Sequence, residues 1–139
     1  MIYITNTPAE TESIAVQLAS QLNAPCVVAM FGDMGMGKTV FVRGLARGLG
    51  INPDIVSSPT FALVHDYGEL IHFDMYRITS WDDLDATGFD DYLAAGRILA
   101  VEWSENIEAA LPANTVRVIF ESLGDTQRRI TINTAEVTS

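Results

Sequence analysis

Lysine and cysteine each occur once in this chain of 139 residues, as Lys38 and Cys26. A single cysteine excludes an internal disulfide, and Cys26 lies in an apolar run, so we interpret it as a small buried residue in a reducing compartment. No stretch approaches the roughly eighteen consecutive apolar residues of a membrane helix, and no basic segment precedes an apolar run near the N-terminus. These absences predict a soluble protein that stays in the cytoplasm.

Positive charge is also scarce, because 8 Lys and Arg stand against 18 Asp and Glu and leave a formal charge of −10. Such a surface repels a polyanion, so we expect the chain not to bind nucleic acid on its own. A nucleotide is still allowed, because backbone N–H groups, Lys38 and Mg²⁺ neutralise phosphates at short range. The length predicts a single domain over residues 1–139, with a disordered tail at about 135–139.

Residues 32–39 have the sequence GDMGMGKT, which fits the phosphate-binding pattern of glycine, four residues, glycine, lysine and threonine. The glycines allow a tight turn that points successive N–H groups at a phosphate. An apolar run at 26–31 predicts the buried strand that precedes such a loop, and Phe41, Leu45 and Leu49 form the stripe of a following helix. A glycine-rich surface loop without a ligand is the alternative.

The phosphate loop predicts binding of ATP with Mg²⁺. Lys38 would reach the β- and γ-phosphates, and Thr39 would offer Mg²⁺ a hydroxyl. The residues that we expect to contact the nucleotide along the loop are Asp33, Met34, Gly35, Met36, Gly37, Lys38, Thr39 and Val40.

The remaining pattern predicts an α/β fold of the P-loop NTPase type, with three layers and a mixed sheet that has a parallel core and antiparallel hairpins at its edges. Thr7 caps a first helix whose buried stripe is Ile14, Leu18 and Leu22. Gly48 and Gly50 would end the second helix in a left-handed conformation. Further strands are expected at 2–4, within 55–67, at 69–77, 97–103, 116–121 and 128–133.

Residues 80–95 combine five aspartates with apolar and aromatic residues. This pattern predicts short amphipathic helices broken at Gly88. We interpret the acidic side as a solvated face, and a docking surface for a basic partner is the alternative.

Hydrolysis needs a second Mg²⁺ anchor and a water held in line, and three residues outside the loop are candidates. Glu102 ends a buried run, so it should reach the phosphate loop and anchor Mg²⁺, directly or through water; a solvent-exposed strand end is the alternative. Asp74 could orient water or join the Mg²⁺ shell, or simply pair with Arg77. Thr60 could supply a hydroxyl from a switch-like loop, or be an ordinary threonine at a strand entry.

We therefore assign catalysis to Lys38, Thr60 and Asp74, and the metal to Thr39, Asp74 and Glu102. His72 shares a strand face with Asp74, and a packed, hydrogen-bonded histidine is favoured there over a contact with phosphate or a partner. Trp103 either stacks on the nucleotide or fills the core.

The phosphate loop, SPTF at 58–61, HFDMYR at 72–77 and EW at 102–103 resemble, in this order and spacing, the TsaE (YjeE) family of bacterial ATPases. The resemblance spans nearly the whole chain. It implies a cytoplasmic ATPase that works with TsaB and TsaD, which transfer a threonylcarbamoyl group to an adenosine next to the anticodon of ANN-decoding tRNAs. The TsaE member would not perform the transfer. Its ATP binding and hydrolysis would reset the TsaB–TsaD assembly, and it would meet tRNA only through these partners.

Two other functions remain open from the residues themselves. A small-molecule P-loop kinase normally carries an arginine-rich lid, whereas the corresponding stretch here is acidic. A non-hydrolysing binding module would use ATP only to order the loop around Thr60 for a partner.

Overall fold

One mixed sheet of seven strands crosses the molecule in the part of the chain that this computed structural model describes, residues 1–32, 37–56 and 64–134. The strands are β1 (Ile2–Thr5), β2 (Cys26–Phe31), β3 (Val64–Asp66), β4 (Leu70–Asp74), β5 (Ile98–Glu102), β6 (Val116–Ser122) and β7 (Arg128–Asn133). The helices are α1 (Pro8–Ala19), α2 (Lys38–Gly48), α3 (Trp81–Ala86) and α4 (Phe89–Ala94), with 3₁₀ helices at Pro53–Ile55 and Ser104–Ala110. The predicted tail at 135–139, loop residues 33–36 and the segment 57–63 that contains Thr60 lie outside the described ranges.

The strand order β1-β7-β6-β2-β5-β4-β3 confirms the predicted mixed sheet. β2 pairs in parallel with β5 and β6, and β4 pairs in parallel with β5. The hairpins β3–β4 and β6–β7 flank this parallel core, and β1 adds one more antiparallel strand outside β7. Because parallel strands β2, β4 and β5 point the same way, their carboxyl ends meet at one edge of the sheet.

The sheet separates two apolar layers, which confirms the predicted three-layer arrangement. Along β2, Val28 and Met30 pack with α1 and α2, whereas Val27 and Ala29 pack on the opposite face with α3 and α4. The sequence predicts this strand to be buried on both faces, and five of its six residues are buried. Among the described helices, none is long and apolar enough to cross a membrane.

Helices α1 and α2 approach closely through small residues. A Cβ on Gly44 would lie 2.5 Å from Ala15 Cβ and would also meet the Glu12 carbonyl oxygen, and a Cβ on Gly48 would lie 2.6 Å from Ala19 Cβ. The prediction that Gly48 ends α2 with a left-handed turn is therefore wrong, because Gly48 is the last helical residue and is needed for packing. Gly50, with φ of +80°, makes the predicted left-handed turn.

The buried face of α1 has small residues at its centre, whereas the sequence predicts a stripe of large apolar residues there. Thr7 Oγ1 accepts from Glu10 N at 3.2 Å and caps the helix as expected. Of the predicted stripe, Leu18 is buried, whereas Ile14 and Leu22 are half-buried and pack against the core from its margin. The physical reason is the close helix contact, which places Ala15 and Ala19 at its centre.

On β4 the predicted alternation is confirmed on one face, where Ile71, Phe73 and the following Met75 are fully buried. The opposite face of β4 is more buried than the sequence predicts, because His72 is fully buried there. The acidic stretch forms α3 and α4, which are separated at Gly88 with φ of +80°, as predicted.

Candidate functional site

Lys38 begins α2 and points back into the edge where the parallel strands end. Gly37 precedes it with φ of +93°, a left-handed value that favours glycine. The Lys38 side chain is buried, and its Nζ donates to the Gly32 carbonyl oxygen at 2.5 Å. The only lysine of the chain is thus bonded to Gly32, the first residue of the phosphate-loop sequence.

Gly32 joins β2 to the phosphate loop at a crowded point. Its φ is +133°, and a Cβ there would lie 2.7 Å from the Phe120 carbonyl oxygen, so no larger residue fits. The Gly32 N–H donates to Glu105 Oε2 at 3.0 Å. Glu105 was not predicted as a site residue, and an exposed glutamate in a short polar stretch carries no spacing signal that could have singled it out.

Glu102 lies beside the start of α2, as its position at the end of a buried run predicts. It is 7% exposed, so the alternative of a solvent-exposed strand end is wrong. Its Oε2 accepts a hydrogen bond from Thr39 Oγ1 at 3.4 Å and another from His72 Nε2 at 2.6 Å. The structure therefore brings together two of the three predicted metal ligands.

Asp74, the third predicted ligand, occupies the position on β4 that is paired with Glu102 on β5. Burial raises the pKa of Asp74, and the nearby Glu102 adds to the increase, against a bond from Tyr76 N and the charges of His72 and Lys38. Asp74 Oδ1 accepts from Tyr76 N at 2.9 Å. Among the described residues, Asp74 forms no ion pair with Arg77, so that alternative is not borne out.

Trp103 turns sharply out of β5 and covers Lys38. Its φ of +59° is the one positive value at a non-glycine residue within the described ranges, and such outliers cluster at functional sites. The Lys38 Nζ lies 4.8 Å from the centre of a Trp103 ring, and the Tyr76 ring lies 5.2 Å away edge-on. Trp103 also packs at the margin of the core, so it lies between the core and Lys38.

His72 is the packed, hydrogen-bonded histidine that the sequence favours. Its side chain is fully buried, and its Nδ1 has no hydrogen-bond partner in the part of the chain that the structure describes. The neighbouring His65 ring lies 6.4 Å away, edge to face, and His65 Nδ1 is 2.9 Å from Tyr67 Oη. Burial, with the charge of His72, lowers the pKa of His65.

A cleft of about 450 Å³ opens beside Gly37 and Val40 at the start of α2. Its other walls are the β1–α1 junction and the β6–β7 turn, which Asn6 Oδ1 and Gln127 Nε2 tie together at 3.1 Å. Its exposed surface is formed mostly by apolar atoms, although many of the lining residues are polar, and Asp125 and Arg128 add one charge of each sign. The sequence gives no sign of this cleft, because its walls come from segments far apart in the chain.

The oxygen donors at the start of α2 could hold Mg²⁺ only if phosphates and water complete its coordination. No group of three His, Cys, Asp or Glu residues suited to a metal occurs in the described ranges. The Thr39 hydroxyl and the Glu102 carboxylate are hard donors, and Mg²⁺ is commonly held by one or two such groups plus substrate phosphates and water. The predicted contacts at Asp33, Met34, Gly35, Met36 and Thr60 fall outside the described residues and stay predictions.

The chain is similar to proteins that all belong to one family. The family model described as threonylcarbamoyl adenosine biosynthesis protein TsaE matches residues 5–130. A curated relative from Bacillus subtilis (strain 168), tRNA threonylcarbamoyladenosine biosynthesis protein TsaE, is 37% identical over 131 residues, which cover 91% of this chain and 81% of the relative. A protein of the same name from Aquifex aeolicus (strain VF5) is 36% identical over 134 residues, which cover 93% of this chain and 92% of that protein.

A solved structure also resembles the fold. The crystal structure of Bacillus subtilis YdiB matches with a TM-score of 0.79 and 31% identity, and the match covers 98% of this chain and 86% of that one.

Proposed function

The chain belongs to the TsaE family, which takes part in biosynthesis of the tRNA modification threonylcarbamoyladenosine, and we propose that it is the ATP-binding and ATP-hydrolysing subunit of that pathway. In this proposal it is a cytoplasmic protein that acts with TsaB and TsaD, drives their turnover without performing the transfer, and meets tRNA only through them.

The observation that carries the proposal is the convergence of Lys38, Thr39 and Glu102 at the N-terminus of α2. The first-turn N–H groups of a helix and a buried ammonium favour an anion at this point. The Lys38 Nζ already donates to a carbonyl oxygen, and a phosphate oxygen would be a stronger acceptor in the same place. When bound with ATP, Mg²⁺ would neutralise charge on the β- and γ-phosphates, and Thr39 and Glu102 would hold it.

The cleft beside Gly37 and Val40 supports a nucleotide over a simple phosphate. It adjoins the start of α2 but is not lined by Glu102, so the nucleoside and the metal would be held at separate places. A largely apolar cleft with a few polar groups is typical of a site for an aromatic base. Asn6 and Asp125 could then hydrogen-bond the edge of the base.

Asp74 is the candidate general base for hydrolysis. A general base must lie close to the phosphate site and must be able to take a proton. The position of Asp74 beside Glu102 supports the first condition. Burial raises the pKa of its carboxyl group, which makes Asp74 a better proton acceptor than an ordinary aspartate. In the proposal, Asp74 orients and deprotonates the attacking water, while Lys38 stabilises charge on the phosphates.

Phosphate release by the purified chain, measured with MgATP in the presence and absence of TsaB and TsaD, tests the proposal. We expect slow release by the chain alone and faster release with both partners. The absence of any stimulation would contradict it. A small-molecule kinase would instead transfer phosphate to an added acceptor, and a nucleotide-gated module would bind ATP without releasing phosphate.

A further inference from the structure

We propose that His72 is a positioning residue that holds the Glu102 carboxylate in place beside Thr39 and so sets the affinity of the site for Mg²⁺. This inference rests on the proposed function, because it concerns the metal that would accompany ATP. It adds a role for a residue that touches neither nucleotide nor metal.

The geometry favours His72 as the main support of Glu102. The two residues lie on adjacent parallel strands, where His72 is paired with Ala100, two residues before Glu102. The bond from His72 Nε2 to Glu102 Oε2 is 2.6 Å long, whereas the bond from Thr39 Oγ1 to the same oxygen is 3.4 Å long. The shorter bond comes from β4, which is paired with a strand on each side, and the longer one comes from the first turn of α2.

Burial strengthens this bond and leaves it without competition from water. His72 is 0% exposed and Glu102 is 7% exposed. A hydrogen bond to a carboxylate is stronger in such surroundings, and a buried carboxylate without a donor is costly. Asp74 is another charged group near Glu102, and Lys38, which lies near Asp74, donates to the Gly32 carbonyl oxygen.

The same contact assigns a proton to one ring nitrogen of His72. A carboxylate oxygen only accepts, so the proton of the bond must be on Nε2. His72 therefore holds Glu102 through an Nε2–H donor, and hydrogen bonds of this kind fix the orientation of a carboxylate that binds a metal.

Two amide substitutions separate this role from simple packing. In His72→Gln the amide nitrogen reaches about as far as Nε2 and can still donate to Glu102. In His72→Asn it reaches only as far as Nδ1, so the bond is lost although the side chain is still a polar amide. His65→Gln, next to His72 but without a bond to Glu102, is the matched control.

Nucleotide binding should be measured by calorimetry, over a range of Mg²⁺ concentrations and also without Mg²⁺. We expect His72→Asn to raise the Mg²⁺ concentration for half-maximal binding by about 10- to 100-fold, the usual effect of losing a group that orients a metal ligand. Binding of metal-free ATP should change little, His72→Gln should stay within a few-fold of the parent chain, and His65→Gln should match it.

An unchanged Mg²⁺ requirement in His72→Asn, in a parent chain that binds MgATP, would overturn this inference alone. A parent chain that binds no nucleotide would overturn the proposed function and this inference with it. The second readout is the nitrogen NMR spectrum of the histidines in the metal-free parent chain, which does not depend on any variant folding. It should show a proton on His72 Nε2, and an Nε2 without a proton would refute the assignment.

Discussion

Lys38 and Trp103 are in contact, with the Nζ atom 4.8 Å from the centre of the indole ring. The same ammonium group donates to the Gly32 carbonyl oxygen, so the phosphate loop and the end of β5 are joined through one side chain. A cation near an aromatic face and a carbonyl oxygen is attracted by both. Lys38 is therefore already confined to the site before any anion binds, and little side-chain freedom is left to lose.

Replacing Lys38 with alanine should weaken nucleotide binding strongly. Hydrogen bonds to charged groups contribute about 1.5 to 3 kcal/mol, which corresponds to an affinity loss of about 10- to 150-fold. Calorimetric titration with MgATP measures this loss directly.

The matched control is Arg47→Ala, which removes a positive charge from the other end of the same helix. Arg47 is largely exposed and pairs with Glu12 on α1 at 2.8 Å. Its loss should leave nucleotide affinity nearly unchanged. Full affinity in Lys38→Ala would show that residues 32–39 are not the nucleotide site.

Replacing Asp74 with asparagine should abolish most phosphate release while MgATP still binds, because the amide keeps the shape but cannot accept a proton.

The same substitution tests the raised pKa of Asp74. Because burial raises the pKa of Asp74 above 3.8 in the folded chain, this carboxyl group favours folding in acid, and that contribution is lost as the pH rises through the folded pKa. Asp74→Asn should therefore raise the unfolding temperature at neutral pH, and the gain should disappear in acid.

Thermal unfolding in Mg²⁺-free buffer across this pH range measures the effect. Asp90→Asn, an exposed residue of α4, is the control and should show no comparable gain. A lower unfolding temperature for Asp74→Asn at neutral pH would contradict the raised pKa.

The sequence predicts the parts of the site that depend on local patterns. The strand before the phosphate loop, the helix after it and the buried run ending at Glu102 each follow from consecutive residues and their periodicity. Adjacency of Glu102 to Thr39 follows as well, because central parallel strands end at the same edge of the sheet.

The contacts that depend on strand order could not be predicted. The bond between His72 and Glu102 exists only because β4 pairs with β5 in one register, and a single-residue shift would turn His72 to the other face. The cleft near Val40 needs β1 and the β6–β7 turn to lie together. The role of Gly48 was missed because a glycine near a helix end suggests a stop as readily as a close contact.

Cys26 should be unreactive in the folded chain. It is 6% exposed, and burial raises its pKa to about 11, so very little of the reactive thiolate forms near neutral pH. Iodoacetamide should label the native chain no faster than it unfolds, and denaturant should expose this one thiol to complete labelling. Mass spectrometry measures the labelling. Fast labelling of the native chain would contradict the burial of Cys26, the first residue of β2.

Replacing Gly44 with alanine should destabilise the fold and weaken nucleotide binding together. The new Cβ would lie 2.5 Å from Ala15 Cβ and against the Glu12 carbonyl, so α1 and α2 must move apart. Overpacking of this kind costs about 1 to 3 kcal/mol, which exceeds the helix propensity that alanine gains over glycine, about 1 kcal/mol at most. Because α2 carries Lys38 and Thr39, its displacement should also lower MgATP affinity.

Gly124→Ala is the control, because the added Cβ meets nothing within 4 Å, and it should leave both the stability and the MgATP affinity unchanged. Thermal unfolding and calorimetry measure the two effects, and an equally stable Gly44→Ala chain would disprove the close helix contact.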